Sequence, residues 1–557
     1  MKRPQNFVAQ SNDQVTIARA VQFLLPAWGP ESQMPTWPPD VFAVVATLLK
    51  RSGAYIKIVN HKTRKELGIN GAWSKKISGI GIDWRQSIID NTPVPGVIQS
   101  WWKTIASASK VPISNIGANL PLLDALICLL ASADESCWGI GVYGEERPLD
   151  DFDDLALMYL LSKQCSTLCQ SIHASAAMVL PKLHTPLSGM TMRSLTHNLA
   201  LWDNPEVKTR WIQLSLPTVT EGMNVLLLPW PLEIHPTAFS PVHKLQENIG
   251  TFAFNVCPMV EGFIEKIKDL ISIATARYGP IHALVFPELS MGPDQFRQLW
   301  QQFDNILIIG GVGELGSREA GTAAQNYVMA GIKPPITDTD GGWPQHKHHR
   351  WRLDRGQIEQ YGIGNSLDAS YKWWWEDITI RDRECNFFCV NDWLTFCILL
   401  CEDLARQDPV ADLVRTVGPN LVIGLLLDGP QLEKRWSARY ATVLAEDPRC
   451  SVLTLTSAGL VDLSRSQGLT GKRSIALWKD ALSGVAREIC LDEGSDGVVL
   501  NLSREWALEY TADGRSDKDE NQRDNEDENQ DAPTGATGYL RLTGVHQVRA
   551  GTKPPNL

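Results

Sequence analysis

The sequence predicts an α/β protein: a layered domain over residues 222–557, preceded by a mainly α-helical domain over 1–215. Three observations carry this reading. After residue 222, apolar runs of strand length alternate with stretches at helical spacing. Before 215 the apolar residues recur at helical spacing with few alternating strands. The composition, 43% hydrophobic and 21% charged over 557 residues, supplies a real core and fits two domains.

Taken in order, Pro38-Pro39-Asp40 opens an apolar-periodic helix running through Val41 to Leu49, with Pro and Asp where a helix start favours them. Pro95–Ser107 and Leu120–Ala133 are the next helices, and Asp151–Ala177 is read as another, its acidic first turn suiting the helix dipole. The second domain starts with the strand Asn224–Pro229. Val260, Phe263, Ile264, Ile267, Leu270 and Ile271 then mark a helix. Strands follow at His282–Phe286 and Ile306–Gly310, with a helix at 293–302 between them, and then at Phe396–Leu400, Leu421–Leu427 and Ser451–Thr456. Residues 513–534 are acidic and rich in Asn and Gln, too polar to order themselves by burial. Because Tyr539–Leu542 again has strand character, this segment is expected to be a disordered insertion within the second domain.

The formal charge of -11 is mostly local: Asp513 to Asp531 holds nine acids and three bases. It therefore says little about ligands of the folded part. Tryptophan is in excess, 20 against 14 Phe and 10 Tyr, and seven lie between Trp300 and Trp393. The 11 cysteines are odd in number and lack disulfide-scaffold spacing, which suits reduced thiols and a cytoplasmic protein. The start of the chain lacks an apolar signal region, and no apolar run approaches the roughly 20 residues needed to span a bilayer. No membrane association is expected.

Three places in the second domain put a reactive side chain beside an apolar strand: Phe286-Pro287-Glu288-Leu289, Lys347-His348-His349 and Leu400-Cys401-Glu402-Asp403-Leu404. Each is bland alone, since buried cysteines are mostly small hydrophobes and single lysines mostly solvated. Their joint occurrence is the informative feature.

In these motifs, residues 222–510 resemble the carbon–nitrogen hydrolase superfamily of nitrilases and amidases. Ile308-Ile309-Gly310-Gly311 and Asn326-Tyr327-Val328 fall where that family has a Gly-rich strand end and an Asn-led strand. The resemblance implies a four-layer α-β-β-α sandwich and hydrolysis of non-peptide C–N bonds, amide in preference to nitrile. It implies Cys401 as nucleophile, Glu288 as base and Lys347 as oxyanion stabiliser that also lowers the thiol pKa. Glu359, in Ile358-Glu359-Gln360, is the family-like second glutamate and is expected to hold Lys347. The backbone N–H of Glu402 is the expected second oxyanion donor. A homo-oligomer is common in that family.

Trp373, Trp374 and Trp375 are candidate pocket walls, with simple loop packing as the alternative. Lys333 rivals Lys347, but Pro334-Pro335 follows it. Cys385, Cys389, Cys397 and Cys401 superficially suggest zinc, with gaps too long for a knuckle, and no metal or cofactor is expected. No G-x-S-x-G elbow or complete P-loop is present. Residues 50–76 hold eight Lys/Arg against one acid, interleaved with Tyr55, His61 and Trp73. This is a candidate contact for a protein or nucleic acid, or else a solvated basic face. The alternative function is accordingly an effector of stress or phage defence in which the hydrolase domain serves a larger assembly.

Overall fold

The structure is a computed structural model. It describes residues 14–141, 149–161, 166–204, 206–216, 219, 221–257, 260–316, 322–333, 342–391, 393–466, 472–516 and 537–551. The chain forms two compact units, and they are interleaved rather than consecutive. One comprises residues 1–212, 413–419 and 506–538; the other comprises 213–412, 420–505 and 539–557.

The first unit is built around the helix Leu120–Ser136. Its sequence is apolar on nearly every side, so it is buried on nearly every side. Asn119 caps it by accepting from Leu122 N at 3.2 Å. Pro38–Ser52 starts on two prolines and stops at Gly53, whose φ of 68° is the left-handed conformation of a helix end. Gly71–Ile89 is capped by Asn70, and Gly96–Ser107 matches its expected place. The expected helix Asp151–Ala177 is shorter: it runs from Asp151 to Leu160. Extended backbone follows, including the antiparallel pair Met178–Pro181 and Leu199–Trp202.

Part of the expected disordered segment is ordered. Residues 513–516 are described and belong to the first unit, while 517–534 lie outside the described residues. Arg515 is the reason. Its buried guanidinium pairs with Asp134 and Asp513, each at 3.1 Å, and with Glu135, and it donates to Leu195 O at 2.6 Å. Composition marked these residues as polar; it could not show that their charges are matched inside the unit.

The second unit is mixed α/β. One sheet has the order Trp343–His346, Gln325–Gly331, Leu307–Glu314, Ala283–Val285, Gly222–Leu227, Gly497–Ala507, Thr537–Val548. A second sheet sets Ala486–Cys490, Ser474–Lys479, Ser451–Thr456, Leu421–Leu426, Leu394–Leu400 and Arg383–Val390 side by side. The expected strands are all present, most within two residues at each end. The helices Phe263–Tyr278 and Pro293–Trp300 cover the first sheet, burying Ile267, Leu270, Phe296 and Leu299 against Leu226, Leu284 and Ile308. Gln345 ties the sheets together, donating to Ile398 O at 2.7 Å and accepting from Asn386 N at 2.7 Å. A small third sheet orders Arg352–Leu353, Trp373–Glu376, Ile249–Phe254 and Phe239–Gln246. Among the described residues no helix is long and apolar enough to cross a membrane.

Candidate active site

Parallel strands deliver two of the three motif residues from their C-terminal ends. Glu288 follows Ala283–Val285, which is parallel to both its neighbours. Its turn is locked onto the next strand: Gly311 N donates to Pro287 O at 3.1 Å, and Ser290 N donates to Gly311 O at 2.9 Å. A Cβ at position 311 would meet Glu288 Cα at 2.4 Å, so only glycine permits this approach. Cys401 follows Leu394–Leu400, which is parallel to Leu421–Leu426, and begins the short helix Glu402–Ala405. Its backbone, at φ 42° and ψ -102°, lies in a region that a residue with a side chain rarely adopts.

Lys347 follows the strand Trp343–His346. Its ammonium lies 2.8 Å from Glu288 Oε1 and 2.6 Å from Glu376 Oε2, with all three side chains buried. Asn326 closes the group, its Nδ2 donating to Glu288 Oε1 and Glu376 Oε1 at 2.8 Å each. Leu427 N donates to Glu288 Oε2 at 2.7 Å. Both Glu288 oxygens are thus fixed. The structure brings Glu288 and Lys347 together, and both act electrostatically on the Cys401 thiol.

The electrostatics follow from burial. Desolvation pushes the Glu288 carboxyl up; Lys347 opposes the shift, Glu376 reinforces it, and the net direction is upward. Desolvation alone would discharge Lys347, but Glu288 and Glu376 hold its pKa well above the usual lysine range. The Cys401 thiol is pushed well up, first by burial and then by Glu288, and Lys347 only partly offsets them. The charge of Lys347 acts on the thiol in the expected direction, downward, but burial and Glu288 outweigh it. Cys401 rests as a neutral thiol.

A second correction concerns Glu359. It sits on the exposed side of the helix Arg355–Gln360, with 59% of its side chain exposed, and pairs with Arg355 at 2.8 Å. The carboxylate that holds Lys347 is Glu376, at the end of the strand Trp373–Glu376. Glu376 also accepts from Trp351 N at 2.9 Å.

Asp403 links the Cys401 turn to the lysine loop. Its carboxylate accepts from His348 N at 3.0 and 3.1 Å and from His349 Nδ1 at 3.0 Å. Glu402 pairs with Arg406. Lys333 pairs with Asp304 at 3.1 Å and stands apart from the cluster. Cys385, Cys389 and Cys397 lie within adjacent strands, and no group of three metal-ligating side chains occurs among the described residues.

Cys401 opens on a cavity of about 610 Å³. Of the three tryptophans in the run, only Trp375 lines it. Trp374 is buried, stacked on Tyr371 at 4.7 Å, and Trp373 carries the Arg352 guanidinium on its face at 4.0 Å. Trp351, Trp436, Tyr361 and Tyr440 complete the aromatic wall. Asp428, at the end of Leu421–Leu426, accepts from Tyr361 Oη at 2.5 Å, Arg435 Nη2 at 2.5 Å and Trp436 Nε1 at 3.0 Å.

In the first unit, the basic stretch is partly committed to internal bonds. Lys57 Nζ donates to Gly117 O at 2.6 Å, Arg64 donates to Ala512 O and Asp513 O, and Lys50 pairs with Asp203 at 2.9 Å. Lys62, Lys65, Lys75 and Lys76 are exposed.

No known family model matches the chain, and no curated protein does. Among solved structures it is similar to Nit3 of Saccharomyces cerevisiae, a member of branch 10 of the nitrilase superfamily. Identity there is 13% and the TM-score 0.30, over 51% of this chain and 90% of that one. It is also similar to XC1258 from Xanthomonas campestris, a CN-hydrolase superfamily protein with an arsenic adduct in its active site. That match has 15% identity and a TM-score of 0.29, over 51% and 91% of the two chains. An amidase of the nitrilase superfamily from Nesterenkonia AN1 matches at 10% identity and a TM-score of 0.24, over 43% and 81%.

Proposed function

We propose that the second unit is a carbon–nitrogen hydrolase of the nitrilase–amidase kind, built as a four-layer sandwich and cleaving non-peptide C–N bonds through a thioester on Cys401. One observation carries the reading: a buried lysine clamped between Glu288 and Glu376 beside a cysteine on a strained turn at the floor of a cavity. Buried charges are costly, and clusters of them beside a cavity are where reactive groups are held.

The chemistry runs as follows. Cys401 Sγ attacks the amide carbon as Glu288 takes the thiol proton, so no resting thiolate is required. The oxyanion forms against the Lys347 ammonium and the N–H of Glu402, a first-turn donor with no acceptor inside its helix. Glu288 then passes its proton to the departing nitrogen, the C–N bond breaks, and the acyl group stays on sulfur. Water, deprotonated by Glu288, attacks the thioester; the acid leaves and Cys401 regains its proton. Glu376 holds Lys347 throughout, taking the role expected of Glu359. Amides are the preferred substrates over nitriles.

Ammonia release from phenylacetamide and from phenylacetonitrile tests this reading. Cys401→Ala should abolish turnover while the thermal transition stays in place, and acid-quenching the unaltered protein during turnover should show an acyl adduct on Cys401 in the intact mass. Full turnover in Cys401→Ala overturns the mechanism.

A further inference from the structure

The cavity above Cys401 holds three arginines and three carboxylates, and their pairing is uneven. Arg435 is paired with Asp428, and Arg406 with Glu402. Asp354 is spent as a helix cap, accepting from Gln357 N at 2.9 Å. Arg352 is left with no carboxylate partner among the described residues. Two indoles hold it instead: its guanidinium lies 4.0 Å from the Trp373 ring and 5.8 Å from Trp375. Cation–π contact fixes the orientation of a guanidinium without neutralising it, leaving its N–H donors for an anion.

A second observation points the same way. Gln360, also in the cavity wall, has a buried Nε2 with no hydrogen-bond partner among the described residues, and the same holds for Arg435 Nε. In a cavity wall such donors are placed to meet the acceptors of a ligand. A cavity with surplus donors calls for a ligand with surplus acceptors. Its size adds a constraint. About 610 Å³ is drug-sized space, and a short aliphatic amide would leave most of it to water. The wall is aromatic, with Trp351, Trp375, Trp436, Tyr361 and Tyr440 presenting ring surface for a flat apolar body.

Resting on the hydrolase reading above, we infer that the substrate is an aromatic amide carrying a carboxylate, with its ring against the tryptophans and its anion on Arg352. The strand pairing supports the placement. Arg352 sits opposite Trp375 and Leu353 opposite Trp374, so the cation and its aromatic supports belong to one rigid sheet rather than to a loop.

The test compares 4-carboxyphenylacetamide with phenylacetamide, using 4-methylphenylacetamide as the size control. The full-length protein should favour the carboxylated amide in kcat/KM by tenfold or more. Arg352→Gln should bring that ratio below about twofold, and Arg352→Lys, which keeps the charge, should restore part of it. A ratio near one in the unaltered protein, or a ratio unmoved by Arg352→Gln, overturns the inference while leaving hydrolysis intact. Calorimetry on the same two amides separates the two readings. Charge-selective, Arg352-dependent binding without turnover retains this substrate class and removes the hydrolase reading. Failure of both amides to bind overturns the substrate class.

Discussion

The ammonium of Lys347 is 2.6 Å from Glu376 Oε2, closer than the 2.8 Å that separates it from Glu288 Oε1. A lysine with one carboxylate could be drawn onto its base; with two, it is held between them. Replacing Glu376 by Gln keeps the shape and removes the charge. It should lower kcat/KM for an amide about 10²-fold, the scale for loosening one oxyanion donor. Glu359→Gln, on the exposed helix face, should change it less than twofold. Steady-state kinetics on the two variants decide between the carboxylates.

The pH profile follows from the same cluster. In the proposed mechanism Glu288 must be ionised to act as base, and burial raises its pKa above the usual 4.5. Activity should therefore be lost as pH falls through that raised value, earlier on acidification than for an ordinary glutamate. Glu376 contributes to the rise through its negative charge, so Glu376→Gln should move the acid limb of kcat/KM to lower pH. An acid limb that stays in place would mean that another group controls it. The neutral resting thiol carries its own signature: alkylation of Cys401 by iodoacetamide should be slow at pH 7 and climb steadily on going alkaline.

Arg515 holds the first unit's ionic centre. It pairs with Asp134, Asp513 and Glu135, and Asp134 also accepts from the N–H groups of His197, Asn198 and Leu199 at 2.8, 2.9 and 2.9 Å. Arg515→Met fills similar space but leaves these carboxylates buried without a cation. The expected loss is about 3–5 kcal/mol, the cost of breaking a buried ion pair from one side. It should appear as a lower midpoint in urea denaturation. A shift below about 1 kcal/mol would show that the cluster relaxes to water.

The strands and the three motif residues were legible because strand ends and apolar runs are local features. Glu359 misled because spacing along the chain says nothing of helix face; its helix turns it to solvent beside Arg355. Glu376 left a trace that went unread. The run Trp373-Trp374-Trp375-Glu376 alternates in burial, so Glu376 shares the inward face with Trp374, and an acid at an inward position needs a partner. Asp428 follows an apolar strand, the same layout that marked Glu288 and Cys401. Asn326 and Arg352 gave less warning, since their roles depend on pairing between strands distant in sequence. The interleaved units were invisible for the same reason: matched charges such as Asp134 and Arg515 are 381 positions apart.

Gly311 offers a test of how tightly the scaffold sets the base. The Glu288 turn has its own strain, with Leu289 at φ 52°, and it presses directly onto the neighbouring strand. An alanine at 311 would put its Cβ 2.4 Å from Glu288 Cα, 2.5 Å from Pro287 O and 2.6 Å from Leu289 N. All three are backbone atoms, so no side chain can swing aside. The turn must move instead, and overpacking of this kind costs about 1–3 kcal/mol. Because Glu288 meets Lys347, Asn326 Nδ2 and Leu427 N at 2.7–2.8 Å, even a small displacement breaks several bonds together. Gly311→Ala should therefore reduce kcat by 10²-fold or more, beyond what its lost stability explains. Gly356→Ala is the control: it lies on the exposed side of the helix Arg355–Gln360, where a Cβ meets only Asp354 Oδ1 at 3.4 Å. It should leave kcat within twofold. Equal loss in both variants would show that the turn is not what positions the base.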